Sequence, residues 1–129
     1  MINEHFNCLE ATIRAEPLVI TASFQRTYTS PDTAYLRGRV TFVDGSQLAL
    51  FEHLAIQVGQ VVVTDYRYHY MSAAKVLIFR YDNAPHHPSL PTAPHHKHTP
   101  GGVEAADKPE VADVLSEIVT VIIGAIVGI

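Results

Sequence analysis

The sequence predicts an α+β fold: an N-terminal helix, a five-stranded antiparallel meander sheet, a proline-rich loop and a C-terminal helix. Three patterns predict it. Ile2, Phe6, Leu9 and Ile13 recur at helical spacing. From Leu18 the apolar period changes to two and is broken by short turns as far as Asp82. Val111, Val114, Leu115, Ile118 and Ile122 then restore a helical stripe. At 129 residues, the chain has the size of a single domain with one core, residues 1–129.

The first helix is expected over 3–15, with Asn3 as its cap and Pro17 beyond its end. The sheet follows over 18–82. In its first strand Leu18, Ile20, Ala22 and Phe24 share a face, and Ser30-Pro31-Asp32-Thr33 supplies a turn. The second strand, 34–43, puts Leu36, Gly38, Val40 and Phe42 on one face and Tyr35, Arg37 and Arg39 on the other. Asp44-Gly45-Ser46 turns the chain into a third strand, 47–57. A turn at Gly59 leads to a fourth, 60–71, and Ser72–Lys75 to a fifth, 76–82. Residues 84–102 read as a loop. Pro85, Pro88, Pro91 and Pro94 fall every third residue, which predicts a stiff polyproline II arm. The last helix is expected over 108–129, with Pro109 in its first turn and Glu110 at its positive end.

Apolar content of 47% and charged content of 17% exclude a disordered chain. Lone Cys8 excludes a disulfide framework and a cysteine-rich zinc site, and is expected to be a buried structural thiol. No basic segment followed by an apolar one opens the chain, so a cytoplasmic protein is expected. The apolar tail 118–129 carries Gly124-x-x-x-Gly128 but is too short to span a bilayer. It reads as a buried helix end or an oligomer or partner contact, not a membrane anchor. Net charge is −4, unevenly spread. Residues 65–100 hold four Lys/Arg against two Asp/Glu, whereas 101–129 hold one against five. A local basic site on an acidic body suits a focused pocket better than indiscriminate nucleic-acid coating.

The chemistry concentrates in 66–98, with six of the eight histidines. Alternation puts Tyr66, Tyr68, Tyr70, Leu77, Phe79 and Tyr81 on one face and Asp65, Arg67, His69, Ile78, Arg80 and Asp82 on the other. A four-residue turn at Ser72–Lys75 would set Arg67 opposite Arg80 and His69 opposite Ile78. Paired arginines fit a phosphate clamp with His69 exchanging protons beside it, or an Arg/Asp ladder on a solvated face. The tyrosines suit core packing better than a base-stacking platform. His86-His87 and His95-His96-Lys97-His98 have three competing roles. They are acid, base and phosphate contact; structural hydrogen bonding; or ligation of a divalent metal by His86, His87, His96 and His98. Adjacent histidines in extended backbone point to opposite sides.

The run YRYHYM…LIFRYDNAPHHPSLPTAPHHKH, with DGS upstream and an acidic helix after it, resembles the TumE-like toxins of prokaryotic type II toxin–antitoxin systems. The resemblance covers about 18–117 and is most specific at Arg80–Pro88 and Pro94–His98. It implies a growth-inhibiting protein neutralised by a cognate antitoxin, usually a helix-turn-helix DNA-binding protein. By analogy of layout it implies a RelE-like ribonuclease that cleaves RNA without a metal or other cofactor. Two features depart from it: the apolar tail replaces a charged amphipathic helix end, and the Ser72–Lys75 turn lacks a glycine. Residue chemistry and resemblance together nominate His69, His95, His96, His98 and Tyr81 for proton transfer, and Arg67, Arg80 and Lys97 for holding phosphate.

Overall fold

A computed structural model of the protein describes residues 1–128. Helix α1 (Ile2–Arg14) precedes seven antiparallel strands in sequential order: β1 (Val19–Ser30), β2 (Thr33–Phe42), β3 (Gln47–Gln57), β4 (Gln60–Met71), β5 (Leu77–Asp82), β6 (His96–Thr99) and β7 (Gly102–Ala105). Helix α2 (Val111–Val127) closes the chain. Short hairpins permit only antiparallel neighbours, so loop length dictates the meander from β1 to β5 and from β6 to β7, while β6 joins β5 after the longer segment 83–95. Both helices cover one face of the sheet. Phe6 and Ile13 of α1 and Ile118 and Ile122 of α2 are buried with Leu36, Val40, Phe42, Leu48, Leu50, Leu54, Tyr68, Tyr70 and Phe79. Among the described residues, the other face carries no helix.

The sheet has two more strands than the alternation predicts. His96–Thr99 and Gly102–Ala105 form a hairpin on β5 inside the supposed proline-rich loop. Sequence pattern could not show it, because His-Lys-His-Thr has no apolar alternation and its order comes from backbone pairing. The preceding segment is not an extended polyproline arm either. Successive turns close through Leu90 N to His87 O, Ala93 N to Leu90 O and His95 N to Thr92 O.

Smaller differences have local causes. A bulge between Val19 and Thr21 turns Val19 inward opposite Phe42 and leaves Ile20 exposed, so Ile20 does not share the face of Ala22. Cys8 is exposed, because Ile2, Phe6, Leu9 and Ile13 occupy the inner stripe of α1. Asn3 does not cap α1; its side-chain oxygen accepts from the Tyr28 hydroxyl. Helix α2 begins after Pro109, with Glu110 as N-cap and Asp113 completing a capping box. The glycine-free turn after β4 is closed by Lys75 in the left-handed region, φ 64°.

Within α2 the apolar tail divides. Ile118 and Ile122 are buried, whereas Ile123, Ile126 and Val127 are exposed. No helix among the described residues is long and apolar enough to cross a membrane.

Candidate functional site

Strand register aligns polar side chains in two rows across the open face. One runs Arg37 on β2, Phe51 on β3, Arg67 on β4, Asp82 on β5 and His96 on β6. The second runs Arg39, Ala49, His69, Arg80 and His98 on the same strands. Side-chain alternation makes each row share one face. The predicted face assignment therefore stands, but its register is two residues out. Arg67 lies opposite Asp82, and His69 lies opposite Arg80, because the β4–β5 turn is longer and a bulge follows Tyr70. Parity survives a two-residue shift; the identity of the neighbour does not.

Asp82 is the electrostatic hub. It is 4% exposed. Its Oδ1 accepts from the Ala84 backbone N–H at 2.9 Å and lies 2.9 Å from His96 Nε2. Its Oδ2 accepts from Arg80 Nε at 3.1 Å and lies 3.3 Å from His98 Nε2. With Asp82 so engaged, Arg67 has little neutralisation. Its guanidinium stacks 5.5 Å over Phe51, as Arg37 does at 4.9 Å. Burial, then the Arg80 and Arg37 charges, push the Arg67 pKa down. A pocket of about 180 Å³ opens here, lined by Phe51, Asp65, Arg67, Arg80, Asp82 and Asn83 among others.

His69 sits among cations. Its Nδ1 is buried without a hydrogen-bond partner. Burial first, then Arg80, Arg67, Arg39 and His98, lower its pKa below the ordinary histidine value, so its ring is neutral at pH 7. The His98 pKa is lowered too, by burial foremost and by His96, Arg80 and His87, against the pull of Asp82.

The other nominated residues go elsewhere. Lys97 and Tyr81 face the helices, where both bond Glu117 of α2 at 2.7 Å. Burial and the Glu117 bond raise the Tyr81 pKa. His95 stacks on Tyr66 and bonds its hydroxyl at 2.9 Å. His95 and His96 thus point to opposite sides, as extended backbone requires. His86 is exposed, while His87 turns inward with its ring centroid 4.8 Å from that of His96. The structure therefore gathers Arg67, His69, Arg80, His96 and His98 and separates Lys97, Tyr81, His95 and His86 from them.

Four contributors were not nominated from sequence: Arg37, Arg39, Phe51 and the organising role of Asp82. The polar side of strand 34–43 already showed Tyr35, Arg37 and Arg39 together. What was missing was the register that carries that side across β3 to β4.

An open sheet face with four arginines, a stacked aromatic ring and an imidazole–carboxylate cluster defines a small α+β protein with a cation-rich surface. The chain belongs to the TumE toxin family, whose model, described as toxin TumE, matches residues 9–126. No curated protein and no solved structure matched it in the parallel comparisons.

Proposed function

We propose that this toxin is an endoribonuclease acting on cellular RNA in the cytoplasm, held in check by a cognate antitoxin of the helix-turn-helix DNA-binding class. The observation that carries the proposal is neutral His69 opposite Arg80 and two residues from Arg67, with Arg39 in the same row across β3. RNA cleavage needs a base for the ribose 2′-OH and cations for the charged phosphorane, and the imidazolium that forms then gives its proton to the leaving 5′-oxygen. A neutral imidazole beside guanidinium groups meets both needs without a metal in the proton-transfer step. Phe51 with Arg37 and Arg67 extends the surface toward single-stranded RNA, where stacking and phosphate contacts act together. The exposed end of α2, with Ile123, Ile126 and Val127, is the apolar surface available to the antitoxin or to a second copy of the chain.

Purified protein incubated with RNA after dialysis against EDTA tests the mechanism. Cleavage there, falling about 10²- to 10⁴-fold in His69→Asn and strongly in Arg80→Ala, is the expected result. Cleavage only after zinc or manganese is added would replace the imidazole base with a metal-activated hydroxide. No cleavage of any RNA, with growth unaffected when the protein is induced alone, would leave a non-catalytic antitoxin-binding module.

A further inference from the structure

The segment leaving β5 brings His87 back against β6, the strand that its own chain goes on to form. Its ring centroid lies 4.8 Å from that of His96 and 5.8 Å from that of His98, and the His96 and His98 centroids are 4.8 Å apart. One ring nitrogen from each of the three lies within 4.8 Å of the other two.

His96, 1% exposed, shows what this arrangement requires. Its Nδ1 lies 2.9 Å from the Pro94 carbonyl oxygen, which can only accept, so Nδ1 carries a hydrogen. In the neutral ring Nε2 then bears a lone pair. That lone pair faces Asp82 Oδ1 at 2.9 Å and His98 Nε2 at 3.1 Å. Two electron pairs at such a distance repel unless a positive charge lies between them. One proton would join His96 to Asp82, and a neutral His98 can donate from Nε2 to Asp82 Oδ2 at 3.3 Å, but neither bond gives His87 a reason to converge on the same point. A divalent cation uses all of them.

The dimensions fit. Nitrogens bound tetrahedrally to zinc at ~2.0–2.1 Å stand about 3.3 Å apart, close to the spacing between the His96 and His98 nitrogens. His87, half-buried on its loop, has the remaining distance to close. The Pro94 carbonyl is the kind of outer partner that fixes the tautomer and orientation of a metal-bound histidine. The Ala84 N–H and Arg80 Nε each donate to one oxygen of the Asp82 carboxylate and hold it in place.

We propose that His87, His96, His98 and Asp82 form a binding site for a first-row divalent transition metal of the zinc class. Three imidazoles with one carboxylate suit zinc, cobalt, nickel or copper and not magnesium or calcium, which take oxygen ligands. The bound ion would lie beside Arg80, which shares β5 with Asp82, on the same face. The site stands apart from the nuclease proposal, because binding is read without RNA.

Tag-free protein, dialysed against chelator, would be titrated with cobalt(II), followed by competition with zinc and with magnesium. The expected result is one ion per chain with the intense visible absorption of tetrahedral cobalt, displaced by zinc and not by magnesium. His96→Ala and His98→Ala should weaken binding at least tenfold, on the order of what loss of even an outer partner costs. Because His96 is buried, His87→Ala supplies a variant that leaves the core untouched, and it should weaken binding likewise. His86→Ala and His53→Ala should change nothing. Absence of saturable binding, or binding undiminished in His87→Ala and His98→Ala, would overturn the site and leave an imidazolium–Asp82 pair. Cobalt binding without RNA cleavage sinks the nuclease and keeps the metal site; cleavage without cobalt binding does the reverse.

Discussion

The two faces of the sheet are built from the same strands by opposite rules. Toward the helices, Tyr66, Tyr68, Tyr70 and Phe79 are almost fully buried, and polar atoms there are matched: the Tyr68 hydroxyl donates to Glu52, Tyr70 to Ser46 and Tyr81 to Glu117. On the open face, Arg37, Arg39, Arg67 and Arg80 crowd together, and His69 Nδ1 is buried without a partner. One face spends its residues on satisfied burial, which stabilises the fold. The other keeps unbalanced charge, a cost that persists where a ligand later neutralises it.

The contrast breaks most easily on the covered side. Phe42→Ala should cost about 3–5 kcal/mol, because Phe42 is fully buried against Tyr70 and leaves a cavity. Denaturant unfolding measures this, and a loss under ~1 kcal/mol would mean the core repacks freely. Tyr68→Phe ranks next. It withdraws a hydrogen bond from buried Glu52, which keeps His5 Nε2 at 2.7 Å, and should cost about 1–3 kcal/mol.

Arg37→Ala and Arg67→Ala on the open face should instead leave stability within ~0.5 kcal/mol. Arg37→Ala and Arg67→Ala should each reduce the salt dependence of single-stranded RNA binding by a slope of about 0.7, read by fluorescence anisotropy. Unaltered slopes would deny this face to RNA.

The smallest effect is on pH. The fold lowers the His69 pKa, and the groups facing it are Arg39, Arg67, Arg80 and His98. The unfolded chain takes up a proton near pH ~6.5 that folded His69 resists, so stability falls as pH drops through that value. His69→Asn should melt with a flatter acid limb than the parent protein. Identical limbs would show that His69 titrates like a free imidazole.

Elements were legible in the sequence wherever burial imposed a period. The stripe Ile2–Phe6–Leu9–Ile13 located α1 within a residue at each end, and the alternation of Leu36, Val40 and Phe42 located β2 and its inward face. Elements held by backbone pairing alone left no such trace. The β6–β7 hairpin is polar and short, so its histidines read as loop residues. Of the site, Arg67, His69 and Arg80 could be placed on one face because alternation has period two. Lys97 could not be placed, since its face depends on the unseen strand β6.

Residue chemistry and family therefore came from the sequence alone: a basic, histidine-rich segment, a tyrosine-lined core side and the TumE toxin pattern, now matched over residues 9–126. Local periodicity and side-chain type are properties of the chain itself. Only the tertiary structure decided who meets whom. It set Asp82 opposite both Arg67 and His96, carried Arg37 and Arg39 into line with the site, and turned Lys97 away to Glu117. Cross-strand neighbours depend on turn length and bulges, and shifting the turn after β4 by two residues replaces every partner while every side chain keeps its face.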